Sequence, residues 1–327
     1  MNKYFVLTID VEPDCTPSWR YRSPLSFLGV TQGLTEILQP LFEEYAIRPT
    51  YLINNVVLED IESVAAFKSF GSRCELGTHL HPEFIEPDKK HSDYAGKEGI
   101  ARQCLYPPEI ERAKLENITN MFTQAFGYAP TSFRAGRFSA QGNTIRCLNE
   151  LGYLVDTSVT PHVLWEDDDQ PIPIDFRGAP EQPYFPREDA ITSTGKNKGL
   201  LEIPVSIALF YPWLLKRWQL RPLRRCLAKQ AVWLRPGNYQ FDDMKRLTES
   251  YVHSYRDKET VVLNMMFHNV EVLPEYSPYV LSEQDSRLYI DTLRRYFEYL
   301  TAQGIKSLML SELYDIYCKD RGVRADG

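Results

Sequence analysis

YFVLTIDVE, residues 4–12, is a short apolar and β-branched run that ends on two carboxylates, Asp10 and Glu12. A run of this length and composition reads as a buried strand. The same pattern recurs along the chain. PTYLIN (49–54), CELGTHL (74–80), SFRAG (132–136), YLVDTSV (153–159), LLEIPVS (200–206), TVVLNMMFH (260–268) and KSLML (306–310) all read as strands. Helical spacing lies between them, over 31–46, 56–70, 109–127, 141–151, 283–303 and 311–318. Thr31 is a predicted N-cap and Pro40 a predicted kink in the first of these helices. Ser282 is the predicted N-cap of the helix over 283–303.

Strands alternating with helices imply parallel βα units. About eight of them close most easily as a barrel. The predicted fold is therefore α/β, a distorted (β/α) barrel of seven or eight parallel strands, in a single domain over residues 1–320. Two segments interrupt it. Residues 82–108 read as a long loop, and 205–240 as a basic, aromatic insertion. EDDDQPIPIDFRGAPEQPYFP (166–186) is rich in proline and acid and reads as irregular surface.

In a parallel barrel the chemistry gathers where strands end. The first strand ends in Asp10-Val11-Glu12, the third in His79-Leu80-His81, the fourth in Arg134, the fifth in Asp156 and the seventh in His268. His79 and His81 are two apart on an extended segment, so both rings leave one face. Carboxylates and imidazoles together can hold a divalent ion with a position left open for water. A further carboxylate can take the water's proton and a further histidine can return one to a leaving amine. Arg134 can keep the base ionised. Asp156 can hold the other ring nitrogen of His268, and Glu271, three residues after His268, is the alternative partner. These parts suit hydrolysis of an amide or ester.

The ordered set T-I-D-V-E, G-T-H-L-H, F-R-A-G-R, V-D-T-S and L-N-M-M-F-H, spread over residues 8–268, resembles the five motifs of polysaccharide deacetylases. That is the NodB-homology group, carbohydrate esterase family four. HLHPE beside DVE looks most like its WalW-type branch, associated with cell-surface polysaccharide genes. The resemblance implies a metal-dependent hydrolase that removes acetyl from an N-acetylated sugar. It implies Asp10 as base, Glu12 and His79 as metal ligands, Arg134 as the residue holding the base, and Asp156 with His268 on the acid side. Two departures stand out. Where the family has H-x-x-x-H, this chain has Glu83 at the fourth position and His81 at the second. His81 is the favoured third ligand, with zinc as the metal. Glu83 in its place would suit manganese or magnesium. The third motif carries Ala135-Gly136 where a proline is usual. Another amide hydrolase of the same fold, or a glycan-binding or assembly protein with a decayed site, are the alternative readings.

The chain has a formal net charge of −7, which argues against nucleic acid as a partner. Yet no acidic residue lies between Ile203 and Phe241, where Lys216, Arg217, Arg221, Arg224, Arg225, Lys229 and Arg235 alternate with Trp213, Trp218 and Trp233. Residues 213–235 could dock on an anionic membrane surface or line a groove for an anionic glycan. They could equally form an amphipathic helix pair with a solvated basic face. The N-terminus lacks an apolar secretory region, and no apolar run reaches the roughly 18 residues of a span. The expectation is a cytoplasmic protein, peripheral at the inner membrane face if the basic segment docks. The six scattered cysteines read as free thiols. His91, His162 and His253 read as ordinary.

Overall fold

The computed structural model describes residues 1–89, 100–166, 172–196, 199–210, 230–237 and 240–320. Eight strands form one parallel sheet: β1 (Asn2–Val11), β2 (Pro49–Asn54), β3 (Glu75–Leu80), β4 (Ser132–Ala135), β5 (Val155–Asp156), β6 (Leu201–Glu202), β7 (Thr260–His268) and β8 (Lys306–Leu308). Their order is β6-β5-β4-β3-β2-β1-β7. One edge of β1 carries β7 along its length, and the other is shared by β8 against Tyr4–Val6 and β2 against Leu7–Val11. The sheet curls into a distorted barrel with its helices around it, as the alternation predicts.

Period-two alternation sorts β1 into layers. Phe5, Leu7 and Ile9 join the large outer core with Tyr296 and Phe297. The even-numbered residues face inward. Val6 packs with Val155, Leu201, Val262, Leu310 and Leu313. Above it come Thr8, Asp10 and Glu12, so the interior changes from apolar at one end to ionisable at the other.

No ladder joins β6 to β7 among the described residues. Side chains bridge the gap instead. Asn264 donates from Nδ2 to Thr157 Oγ1 at 2.8 Å and to the Ile203 carbonyl at 3.0 Å. Its backbone N–H donates to Ser206 Oγ at 2.8 Å, and its carbonyl accepts from Ser206 N at 3.0 Å. Thr8 donates to Asn264 Oδ1 at 3.1 Å.

Several local expectations change. The first helix begins at Gly29, in wide π turns to Leu38, and continues as a regular α segment over Gln39–Glu44 with Pro40 in its opening turn. Thr31 is no cap; its hydroxyl donates to the Phe27 carbonyl. Asp14 caps instead, accepting from Leu28 N at 2.7 Å and Gly29 N at 2.8 Å. Gly29 must lack a side chain, because a Cβ there would stand 2.6 Å from Asn269 Nδ2. Ser282 caps the helix Glu283–Ala302 as predicted. The helix Phe241–Ser254 has no counterpart among the predicted elements, although Met244, Leu247 and Tyr251 bury one face of it.

The acid-rich segment is not simply surface. Ile174, Phe176, Tyr184 and Phe185 are buried, and Ile174–Asp175 pairs with Leu164–Trp165. Most of the basic insertion lies outside the described residues. Its described ends form an antiparallel pair, Ile207–Phe210 with Gln230–Trp233, rather than helices. Arg235 is buried against Glu271 and so is not part of a solvated basic face. Cys15, Cys74, Cys104, Cys147 and Cys318 are free thiols; Cys226 and His91 lie outside the described residues. Among the described residues no helix is long and apolar enough to cross a membrane.

If Asn264 closes the barrel, Asn264→Ala should cost about 2 kcal/mol, since it removes three buried side-chain hydrogen bonds worth about 0.5–1.5 kcal/mol each, while the Thr157 hydroxyl and the Ile203 carbonyl keep one another at 2.7 Å. Urea unfolding measures this; a loss below about 0.5 kcal/mol would show that the gap needs no latch.

Candidate active site

The strand register assembles the site. Asp10 pairs with His268 across β1 and β7, Asn54 with His79 across β2 and β3, and His79 with Arg134 across β3 and β4. Residues far apart in sequence therefore meet at one mouth. The cavity there has a volume of about 400 Å³, and Asp10, Glu12, His79, His81 and His268 line it together with Trp19.

Arg134 is fully buried and its guanidinium is well satisfied. Nη1 donates to Asp10 Oδ1 at 2.6 Å, Nη2 to Thr8 Oγ1 at 2.7 Å and to Thr157 Oγ1 at 3.1 Å, and Nε to the Thr157 carbonyl at 2.8 Å. Burial pushes the Asp10 carboxyl up. The charge of Arg134, then those of His79 and His268, outweigh it and hold Asp10 below the usual carboxylate range.

Glu12 sits between the paired histidines. Its Oε1 is 3.2 Å from His79 Nε2 and 3.0 Å from His81 Nε2, and the two ring nitrogens are 3.1 Å apart. Tyr21 OH donates to Glu12 Oε2 at 3.1 Å, and Asn269 Oδ1 accepts from Glu12 N at 2.9 Å. Burial disfavours the Glu12 carboxylate, but the histidine charges and hydrogen bonds hold it well below its ordinary range. His81 responds in the opposite sense. Burial lowers its proton affinity, Glu12 and Glu83 raise it more, and its pKa reaches about 9.

The donor chemistry is of a kind that could hold a cation. His79 Nδ1 is 3.1 Å from the Arg134 carbonyl, which can only accept. The proton of a neutral His79 therefore sits on Nδ1, and its Nε2 lone pair points at Glu12 Oε1. Lone pairs facing one another at such distances repel unless a proton, as on His81, or a metal ion lies among them. Donors each about 2.1 Å from one ion stand about 3.0 to 3.4 Å apart, for right-angled and tetrahedral arrangements respectively. Glu12, His79 and His81 have that spacing and are buried. Glu83 is drawn away from them. Its carboxylate pairs with Arg137 Nη1 at 2.6 Å and lies 3.9 Å from His81 Nδ1.

The two sequence departures are linked. A Cβ on Gly136 would stand 2.5 Å from the Leu80 carbonyl and 2.9 Å from His81 Cδ2. The His81 ring occupies the space that a side chain at position 136 would need.

On the opposite wall His268 Nδ1 is 2.8 Å from Glu271 Oε1, and its Nε2 is 3.9 Å from Glu12 Oε1. The anticipated contact between Asp156 and His268 is absent, and Glu271 takes that place. Arg235 and Tyr289 hold Glu271 in turn, with Tyr289 OH at 3.1 Å. Burial lowers the basicity of His268, but the Glu271 hydrogen bond and the charges of Glu271, Glu12 and Asp10 leave its pKa raised. Trp19 covers the ring, with centroids 4.7 Å apart, and Phe138 stacks on Trp165 beside the cavity. Trp19, Tyr21 and Asn269 carry no sequence signature. Asn269 is hinted at only by directly following the strand-end histidine. His162 pairs with Glu181 and His253 lies by Arg256, both apart from the cavity.

Asp156 lies behind the site. Its Oδ1 accepts from Ser158 Oγ at 2.6 Å, and Ser158 Oγ accepts from Ala135 N at 2.9 Å. Its other oxygen faces Glu202. Burial raises Asp156 to about 6, and burial together with the charge of Asp156 carries Glu202 well above the carboxylate range, the direction expected where two buried carboxyls have one proton to share.

No family model matches the chain, and neither does any curated protein. Solved structures do. A Mycobacterium smegmatis protein assigned as a polysaccharide deacetylase is 14% identical, with 99% of this chain and 93% of that one aligned at a TM-score of 0.52. A Parabacteroides distasonis protein assigned as a glycoside hydrolase/deacetylase is 11% identical, with 97% and 71% covered and a TM-score of 0.59. PuuE allantoinase is 13% identical, with 97% and 89% covered and a TM-score of 0.56. At these identities the likeness establishes the fold, the NodB-type barrel found in deacetylases and an allantoinase.

The carboxyl pair has a signature in stability. The folded chain holds more protons than the unfolded one between about pH 4 and pH 6, so the pair costs stability as pH rises through that window. Glu202→Gln should gain in Tm relative to wild type from pH 4.5 to 7.5. A difference that is flat or shrinks with pH would refute the shared proton.

Proposed function

We propose that the protein is a metal-dependent hydrolase that removes acetyl from an N-acetylated sugar of a cell-surface polysaccharide or its precursor, within one catalytic barrel over residues 1–320. The observation that carries this reading is the convergence of the Glu12, His79 and His81 donors beside Asp10, whose carboxyl is held below its usual range, and His268, whose pKa is raised by Glu271. Glu12, His79 and His81 would hold a divalent cation, for which zinc suits the two imidazoles best. Bound there, such an ion supplies a polarised amide carbonyl and a more acidic water.

The remaining steps belong to this chain's own groups. Asp10, kept ionised by Arg134, takes the proton of the attacking water. His268, with Nδ1 held by Glu271, gives the proton at Nε2 to the leaving nitrogen. Water adds to the carbonyl, the C–N bond breaks, and acetate and a free amine leave. Trp19, Phe138 and Trp165 supply aromatic faces suited to a sugar ring. The Asp156–Glu202 pair stands behind Ala135 and takes no part in proton transfer.

His268→Ala should cut acetate release by about 10²- to 10⁴-fold, and His79→Ala should lose a stoichiometric metal found in the wild type. Wild type that releases no acetate from a broad panel of N-acetylated saccharides with zinc, cobalt or manganese would sink the reading. Hydrolysis of small cyclic amides in the same assays would move it to the alternative amide hydrolase.

Glu271→Gln tests the acid side separately. Losing that carboxylate destabilises the His268 imidazolium, so its pKa falls. The alkaline limb of kcat/KM should move to lower pH while the acid limb stays. An unmoved alkaline limb would assign the acid to another group.

A further inference from the structure

The segment after His81 has almost no backbone partners of its own, yet it is held at five of the six carbonyls from Pro82 to Pro87. Lys114 Nζ donates to the carbonyls of Pro82 at 2.8 Å and Ile85 at 2.7 Å, and also to that of Pro87. Asn117 Nδ2 donates to the Glu86 carbonyl at 2.7 Å. From the other side Asn55 Nδ2 donates to the Phe84 carbonyl at 3.0 Å. Lys114 and Asn117 are three apart on the helix Pro108–Phe126, so they present one face.

Lys114 is fully buried, and its ammonium lies 4.7 Å from the centroid of the Tyr106 ring. An ammonium has three N–H donors and no acceptor, which matches three carbonyls, and its charge strengthens each bond. The grip reaches His81 directly. Phe84 N donates to the His81 carbonyl at 3.1 Å, and the two rings lie parallel, 6.2 Å apart.

We propose that Lys114, with Asn117, is a positioning residue for the cation site: an internal ammonium that fixes the His81–Pro87 segment and so places the third donor against Glu12 and His79. This rests on the reading of Glu12, His79 and His81 as a cation site. Two of the segment's residues, Pro82 and Pro87, have no N–H to give a ladder. His81, like Glu12, lies one residue past the end of its strand, because β3 ends at Leu80 and β1 at Val11. Without the clamp the backbone that carries its ring would lose its grip at Pro82, Ile85, Glu86 and Pro87.

The experiment is zinc and cobalt affinity, measured by chelator competition on the whole chain, for wild type, Lys114→Met, Asn117→Ala and Thr248→Val. Thr248 is buried against Tyr296, far from the clamp, and its variant controls for general loosening. Lys114→Met should bind about ten- to a hundredfold more weakly, in the range of lost supports around a metal ligand. Asn117→Ala should weaken binding severalfold, and Thr248→Val should bind like wild type. Should Lys114→Met not fold, the exposed Asn117 position decides. Wild-type affinity in Asn117→Ala and in folded Lys114→Met overturns the clamp, as does equal weakening in Thr248→Val. Wild type that binds neither ion overturns the cation site itself, a distinct result.

Discussion

Arg134 ties more of this molecule together than any other side chain in the mouth of the barrel. Its guanidinium reaches β1 at Thr8 and Asp10 and the Thr157 backbone and hydroxyl just past β5. Its own carbonyl receives His79 Nδ1 from β3. One residue thus sets the ionisation of the carboxylate that takes a proton and the tautomer of the imidazole that offers a lone pair. A lysine could not do both, since the contacts need a planar fork with several fixed donors. The interior can hold that fork because its polar layer sits on the apolar one around Val6, Val155 and Val262.

Charge in the mouth is balanced by pairing rather than by solvent. Isolated, a carboxylate or guanidinium this deep would cost tens of kcal/mol in an apolar medium. Asp10 has Arg134, Glu271 has Arg235, and Glu83 has Arg137. Glu12 has only imidazoles around it and the Tyr21 hydroxyl, and it is the carboxylate whose surroundings call for another positive charge. Asp156 and Glu202 lie together instead, and burial raises both above their ordinary range, with the charge of Asp156 adding to the rise of Glu202.

The strands were legible because each is short, apolar and ends in a group with an evident chemical use. YFVLTI into Asp10 and TVVLNMMF into His268 turn out to be neighbours in register. Partners were less legible. The sequence offers both Asp156 and Glu271 as partners for His268, and the side chain that reaches it is Glu271, three residues further along the chain. Asp156 instead meets Glu202, which only the β5–β6 pairing brings close. Arg235 belongs by composition to the basic segment, yet it is buried against Glu271. The helix Phe241–Ser254 follows a tract whose basic and aromatic composition masks its onset, and it is held by contacts with Glu283–Ala302 that no local spacing reports.

Gly136 and His81 occupy a single volume, and this constrains how such a site changes over time. A chain with a proline or other side chain at 136 cannot admit an imidazole at 81 without moving the Leu80 carbonyl. A chain that has lost the imidazole gains room on that side, but a bulkier residue at 136 still needs the Leu80 carbonyl to shift. Exchange between a histidine pair spaced by four and one spaced by two therefore runs through a concerted replacement at both positions. Diverged copies of this barrel should keep the two in step, as a linked pair inherited together.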